Sequence, residues 1–187
     1  MTKTLLPLIL CALIFLSCTT PTRAQSLEKQ TVLTMLTLNI ARFTRWPEQV
    51  FINTESTLNL CVFGDNIIQQ SFTTINNKTI NNNTLHIVNI SRLRNLKRCQ
   101  ILYLSDLERN RLTSLLEELK GQPILTIGEN LAFIKAGGMI GLELIQGKFQ
   151  LNINLPIVKE AKLVISSRLL KLAKIFDFSP PDTVIQE

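Results

Sequence analysis

The stretch Ile140-Gly141-Leu142-Glu143-Leu144-Ile145-Gln146-Gly147-Lys148-Phe149-Gln150-Leu151-Asn152-Ile153-Asn154 carries the sharpest structural information in this chain. Apolar residues alternate with others on both sides of Gln146-Gly147, the period of a strand with one covered face. A tight turn at Gln146-Gly147 folds the two arms into a hairpin. It pairs Leu144 with Phe149, Leu142 with Leu151 and Ile140 with Ile153, so all six share one face. Glu143, Gln150 and Asn152 take the other. The pattern predicts a hairpin lying antiparallel at the end of an otherwise parallel sheet, with one side buried.

Upstream, apolar strands alternate with helical segments. Leu58 to Phe63, Leu85 to Ile90, Gln100 to Leu104 and Pro123 to Ile127 read as strands. A short helix follows Asp65, a good N-cap, and the Asn-rich residues 76–83 read as a turn. Ser105-Asp106-Leu107-Glu108 matches a capping box, opening a helix with Leu112, Leu115, Leu116 and Leu119 that stops at Gly121 before Pro123. Glu129 to Lys135 reads as a helical turn ending at Gly137-Gly138. A first helix is expected over Leu27 to Arg45, with Val32, Met35, Leu36 and Phe43 on one face, Leu33 and Ile40 widening the stripe towards burial on more than one side, and Trp46-Pro47 as its stop. A last helix is expected over Pro156 to Phe176, with Val158, Ala161, Ile165, Leu169, Leu172 and Phe176 inward. The fold class is α/β: one domain, a mixed and mostly parallel sheet with a C-terminal antiparallel hairpin, and helices on both faces.

Residues 1–24 read as an export leader. Lys3 gives a positive start, Leu5 to Leu16 an apolar run too short to span a bilayer, and Thr22-Arg23-Ala24 a small-residue cleavage site before Gln25. Residues 25–177 then form the domain and 178–187 a loose tail carrying Pro180-Pro181. The leader holds Lys3 and Arg23 and no acid, so the net charge falls from +6 to +4. The remaining basic residues form no block and few aromatics lie among them, which disfavours nucleic-acid binding. Cys18, in Phe15-Leu16-Ser17-Cys18, resembles a lipoprotein cleavage site with Phe15 where Leu is usual; export without lipidation is the preferred reading. Cys61 and Cys99 remain. In an exported chain such a pair is read as a disulfide between neighbouring strands, or as two buried thiols.

Little in the chain looks like a catalyst. His86 is the sole histidine and sits in a strand pattern with no nearby nucleophile. No GxSxG elbow, phosphate loop, CxxC or HxxxH spacing occurs, so no catalytic residue, metal site or cofactor is assigned. Arg42, Arg45 and Trp46 end the first helix together. Two guanidiniums beside an indole can hold an anion or an acidic partner segment, and they can equally be helix-end charge beside a packed Trp. Glu143 and Arg168 are further candidates for a polar pocket.

The accumulated segments resemble the YfiR-like family of bacterial periplasmic proteins. The matching stretches are Ile40-Ala41-Arg42-Phe43-Thr44-Arg45-Trp46-Pro47, Leu60-Cys61-Val62-Phe63-Gly64-Asp65 and Cys99-Gln100-Ile101-Leu102-Tyr103-Leu104-Ser105. Leu125-Thr126-Ile127-Gly128, Phe133, Gly137-Gly138-Met139-Ile140, Phe149 to Asn154, and Ala161 to Ala173 follow in the same order. The resemblance implies a periplasmic, often dimeric α/β regulator. Such a protein binds the sensor domain of an inner-membrane diguanylate cyclase and holds it inactive, and an outer-membrane lipoprotein can sequester it. It also implies that Cys61 and Cys99 form a structural disulfide. Some relatives carry further cysteines that this chain lacks.

Three functions therefore compete. The leading one is a regulator acting by protein–protein contact. The second is a small-ligand binding module using Arg45, Trp46, Glu143 and Arg168, and the third a hydrolase whose only obvious base is His86.

Overall fold

A computed structural model describes residues 22–51 and 56–177. Most of the expected leader, Cys18 and the expected tail lie outside the described residues. The elements in chain order are α1 (Thr22–Arg42), β1 (Thr44–Arg45), a 3-10 turn (Glu48–Phe51), β2 (Thr57–Phe63), α2 (Asn66–Thr73), β3 (Thr79–Ile80) and β4 (Asn83–Asn89). A second 3-10 turn (Leu96–Arg98), β5 (Ile101–Leu104), α3 (Arg109–Glu118), β6 (Leu125–Gly128), α4 (Leu131–Lys135), β7 (Ile140–Ile145) and β8 (Lys148–Asn154) follow. The chain closes with α5 (Leu155–Glu160), β9 (Val164–Ile165), α6 (Ser167–Leu170) and β10 (Lys174–Phe176).

The main sheet has the order β10-β8-β7-β6-β5-β2-β4-β3. β4, β2, β5, β6 and β7 run parallel. The alternation of strands and helices in the sequence anticipates this, because parallel neighbours need a crossover. Strand residues divide the core by their period of two. Ile101, Tyr103, Leu125 and Ile127 face one layer with α1 and α2. Leu102, Leu104, Cys61 and Cys99 face the other with α3. Asp65 caps α2, accepting from the Ile68 backbone N–H at 2.9 Å.

The β7–β8 register is the one expected, with Leu144 opposite Phe149, Leu142 opposite Leu151 and Ile140 opposite Ile153. Its surroundings differ from expectation in two ways. First, the hairpin is not the end of the sheet, since β10 adds parallel to β8, Lys174 opposite Asn152 and Phe176 opposite Asn154. Second, burial follows position along the hairpin more than face. At its base Gly141, Asn152 and Asn154 are buried on the side expected to be exposed. At its tip Leu144 and Ile145 are exposed, because β6 ends at Gly128 opposite Gly141 and leaves the tip overhanging.

Three other expectations are corrected. The last segment is not one helix. Lys162 takes a left-handed φ of 58°, and Leu163 N–H bonds back to Val158 C=O at 3.1 Å, which closes α5. Val164 and Ile165, β-branched residues poor at helix propagation, then pair with β1. The capping box is not made either: the N-cap of α3 is Glu108, without a side-chain cap, and the Ser105 hydroxyl is committed elsewhere. Finally, α1 ends at Arg42 and turns only part of the expected stripe inward. Leu33, Leu38, Ile40 and Ala41 are buried, whereas Val32, Met35 and Phe43 are exposed.

Cys61 and Cys99 are joined by a disulfide, with α-carbons 5.7 Å apart and a sequence separation of 38. Both are buried beneath α3. Closing a loop of this size stabilises by about 4 kcal/mol in the chain-entropy description. The Cys61→Ala/Cys99→Ala variant is therefore expected to melt roughly 10 °C lower, as read by differential scanning calorimetry. Equal melting temperatures would contradict the bridge's role.

Candidate functional site

The chain reverses direction at the end of α1, and this reversal builds the site. Pro47 disfavours helix at Trp46, and Thr44 and Arg45 pair antiparallel with Ile165 and Val164. Ser166 N–H donates to Phe43 C=O at 2.9 Å. The Asn81 side-chain amide, on a left-handed turn, donates to Arg42 C=O at 3.3 Å and Thr44 C=O at 3.2 Å. It thereby satisfies a carbonyl that the helix end leaves open. Ser166 caps α6 through Leu169 N–H and so sets the direction of Arg168.

Arg42, Arg45 and Arg168 consequently line one groove of about 460 Å³ with Phe43, Asn81, Val164, Ile165, Ser166 and Ser167. Its lining carries three guanidiniums and no carboxylate. All three arginines are exposed at its rim. Arg45 and Asn81 are shared with an adjoining groove of about 550 Å³ that contains Trp46. The Trp46 indole N–H donates to Gln100 C=O at 3.0 Å, so the ring is pinned to the start of β5. Guanidiniums over a floor of Phe, Val and Ile suit a carboxylate or phosphate attached to an apolar group.

Glu143 is not part of this arrangement. The grooves lie at the end of the sheet where β5 begins. Glu143 lies beyond Gly141, the residue opposite the last residue of β6, and so at the other end. There it accepts from the Asn152 side chain at 3.4 Å. His86 is exposed on β4, opposite Asn59. Among the described residues no group of three His, Cys, Asp or Glu side chains could hold a metal ion.

The sequence reading missed a polar cluster at the carboxyl ends of β5 and β6. Glu129 accepts from the Tyr103 hydroxyl at 3.0 Å and from the Ser105 hydroxyl at 2.5 Å, and Lys29 Nζ lies 2.8 Å from its other oxygen. The carboxylate thus takes donors from α1, from β5 and from the residue after β5. Burial, then the neighbouring Glu129 charge and the hydrogen bond to it, pushes the Tyr103 phenol far above its usual range. The available signal was an acid directly after an apolar strand, but its partners come from elements distant in sequence.

The structure is thus a disulfide-linked α/β domain with a cationic surface groove. The sequence pattern of the YfiR/HmsC-like family matches residues 30–174, more than half of the chain, and the protein belongs to that family. The family is regulatory rather than catalytic, and periplasmic. Comparison with curated proteins finds no match. A solved structure, described as a conserved domain protein from Vibrio cholerae O1 biovar El Tor, superposes with a TM-score of 0.42 at 9% identity over 68% of this chain. This chain covers 57% of that one. The disulfide fits an oxidising compartment, and among the described residues no helix is long and apolar enough to cross a membrane.

Tyr103 makes stability sensitive to alkali. Its folded-state value is raised, so its contribution is complete below the unfolded value of about 10 and is lost as pH climbs above it. Tyr103→Phe should cost about 1 kcal/mol at neutral pH and flatten the fall in stability above pH ~10 in urea titrations. An unaltered alkaline slope would remove Tyr103 as its source.

Proposed function

We propose that this protein is a periplasmic regulator that binds the sensor domain of an inner-membrane diguanylate cyclase and holds the enzyme inactive, thereby lowering cyclic di-GMP and biofilm growth. The observation that carries the reading is the groove of Arg42, Arg45 and Arg168 on a member of the YfiR/HmsC-like family. A partner segment with an acidic group beside an apolar side chain would dock its charge on the guanidiniums and its apolar part on Phe43, Val164 and Ile165. Trp46, pinned beside the groove, would extend that floor. An outer-membrane lipoprotein presenting a similar segment would compete for the same place and release the cyclase. Glu143, at the other end of the sheet, would belong to a separate contact.

A second reading is supported by the same groove. Its volume falls within the range of small-molecule sites, and a small ligand with an anionic group would occupy it directly. The two readings separate in a thermal-shift screen of nucleotides and amino acids. A specific ligand at a hundred times its Kd would stabilise by about 2.7 kcal/mol.

The regulator reading is tested by affinity capture from detergent-solubilised native membranes. The wild-type protein should retain the cyclase, and the Arg45→Glu/Arg168→Glu variant should lose it by at least about tenfold, since each reversal sets like charges together. Both arginines are exposed, so the variant should fold. Capture of no cyclase by the wild type would overturn the reading.

A further inference from the structure

β4 lies on one side of β2 and β5 on the other, so the chain between them crosses the face of β2 that lies under α3. A crossover between parallel strands usually holds a helix. This one holds only the 3-10 turn Leu96–Arg98. Both of its ends are fastened to β2. Ile90 N–H donates to Val62 C=O at 3.0 Å, and Cys99 is bridged to Cys61. The Asn59 side-chain amide also donates to Arg98 C=O at 3.0 Å.

Between these anchors the loop sorts its residues. Leu96 is buried, and Leu93 is half-buried against the layer formed with α3. Arg92, Arg94, Lys97 and Arg98 are exposed. In sequence Leu93, Asn95 and Leu96 interrupt the basic residues. In the fold Asn95, at a left-handed φ of 55°, and the turn after it gather Arg94, Lys97 and Arg98 onto one groove of about 570 Å³. Glu118 is the one carboxylate in its lining. Among the described residues none of the four cations has an ion pair. Like charges held together without a counter-charge repel one another, and a negative partner relieves that repulsion.

We infer that the loop of Arg92, Arg94, Lys97 and Arg98 is a docking surface for the anionic phospholipid headgroups of a bilayer. Arg92 lies outside the groove, so the cationic field is wider than one small anion needs. Residues 91–98 include no aromatic side chain. Single-stranded nucleic acid calls for aromatic stacking faces among the cations. A tight protein partner calls for an aromatic or apolar anchor, and the two leucines of the loop already pack on the core. What the loop offers is delocalised positive charge on a fixed base, the match for a sheet of phosphate groups. Each Lys or Arg near such a surface strengthens attachment about fivefold. A family that is periplasmic works between two membranes. None of the arginines of the groove beside α1 takes part, so the inference stands apart from what that groove binds.

Flotation of the purified protein with phosphatidylcholine vesicles, with and without phosphatidylglycerol, tests this. The wild type should float with the phosphatidylglycerol vesicles at low salt and stay behind with pure phosphatidylcholine. It should be released at about 1 M salt, where screening acts beyond about 3 Å. Arg94→Gln/Lys97→Gln should weaken attachment about 25-fold, and Arg94→Glu/Lys97→Glu further still, with melting profiles unchanged because both side chains are exposed. A wild type that does not float with phosphatidylglycerol, or that floats equally with pure phosphatidylcholine, would overturn the inference. So would charge-reversed protein that floats like the wild type, or release by inorganic phosphate well beyond that by chloride at equal ionic strength, which marks a site for a free anion.

Discussion

The pairing of Thr44 and Arg45 with Val164 and Ile165 spans only two residue pairs, yet the surface chemistry of the fold depends on it. It forces α1 to stop, because residues in extended conformation cannot continue a helix. It draws the segment after α5 back across the end of α1. It also sets Ser166, and with it Arg168, beside Arg42 and Arg45. Residues more than a hundred positions apart in the chain thus share one groove through two pairs of strand residues. The Asn81 amide reinforces the contact from a third direction by taking up two carbonyls at the junction.

The central sheet was largely legible in the sequence. β2, β5 and β6 are continuous apolar runs flanked by turn residues, and the β7–β8 hairpin was legible to its register because its two arms have matched alternation. The helices at the two ends were less so. Periodicity showed that residues 156–176 have an apolar stripe, and Val158, Ala161, Ile165 and Leu169 are indeed buried. It could not show that the stripe is assembled from two short helices and a strand. A period of 3.6 and a sequence of local turns bury overlapping sets of residues, and tertiary pairing with β1 decides between them. For α1 the expected stripe holds in part: Leu33 and Ile40 are buried and Leu36 packs on the core, whereas Val32, Met35 and Phe43 are exposed. Apolar residues occur around most of the helix, so periodicity alone does not single out the side that packs on the sheet.

Much of the site was legible for a similar reason: residues at a helix end are local. Arg42, Arg45 and Trp46 lie close in sequence and fell naturally into one group. That Arg168 joins them follows only from the β1–β9 pairing, and that Glu143 does not follows from the strand order. The Lys29, Tyr103, Ser105 and Glu129 cluster left no local trace. Spacing alone points Ser105 to a cap, whereas the half-buried Glu129 carboxylate is the stronger attractor for its hydroxyl. The cluster ties the start of α1 to one end of the sheet, and the β1–β9 pairing ties its end to the other.

The covalent link beneath α3 makes the native state conditional on cellular address. In a reducing cytosol the two thiols would stay separate, and the chain would lose a contribution comparable to much of a small domain's net stability. Molecules without the bridge would populate open states more often and present themselves to proteases. Oxidative closure of the pair in an oxidising compartment would trap the folded form there. The bridge therefore ties the persistence of the folded chain to the redox state of its surroundings.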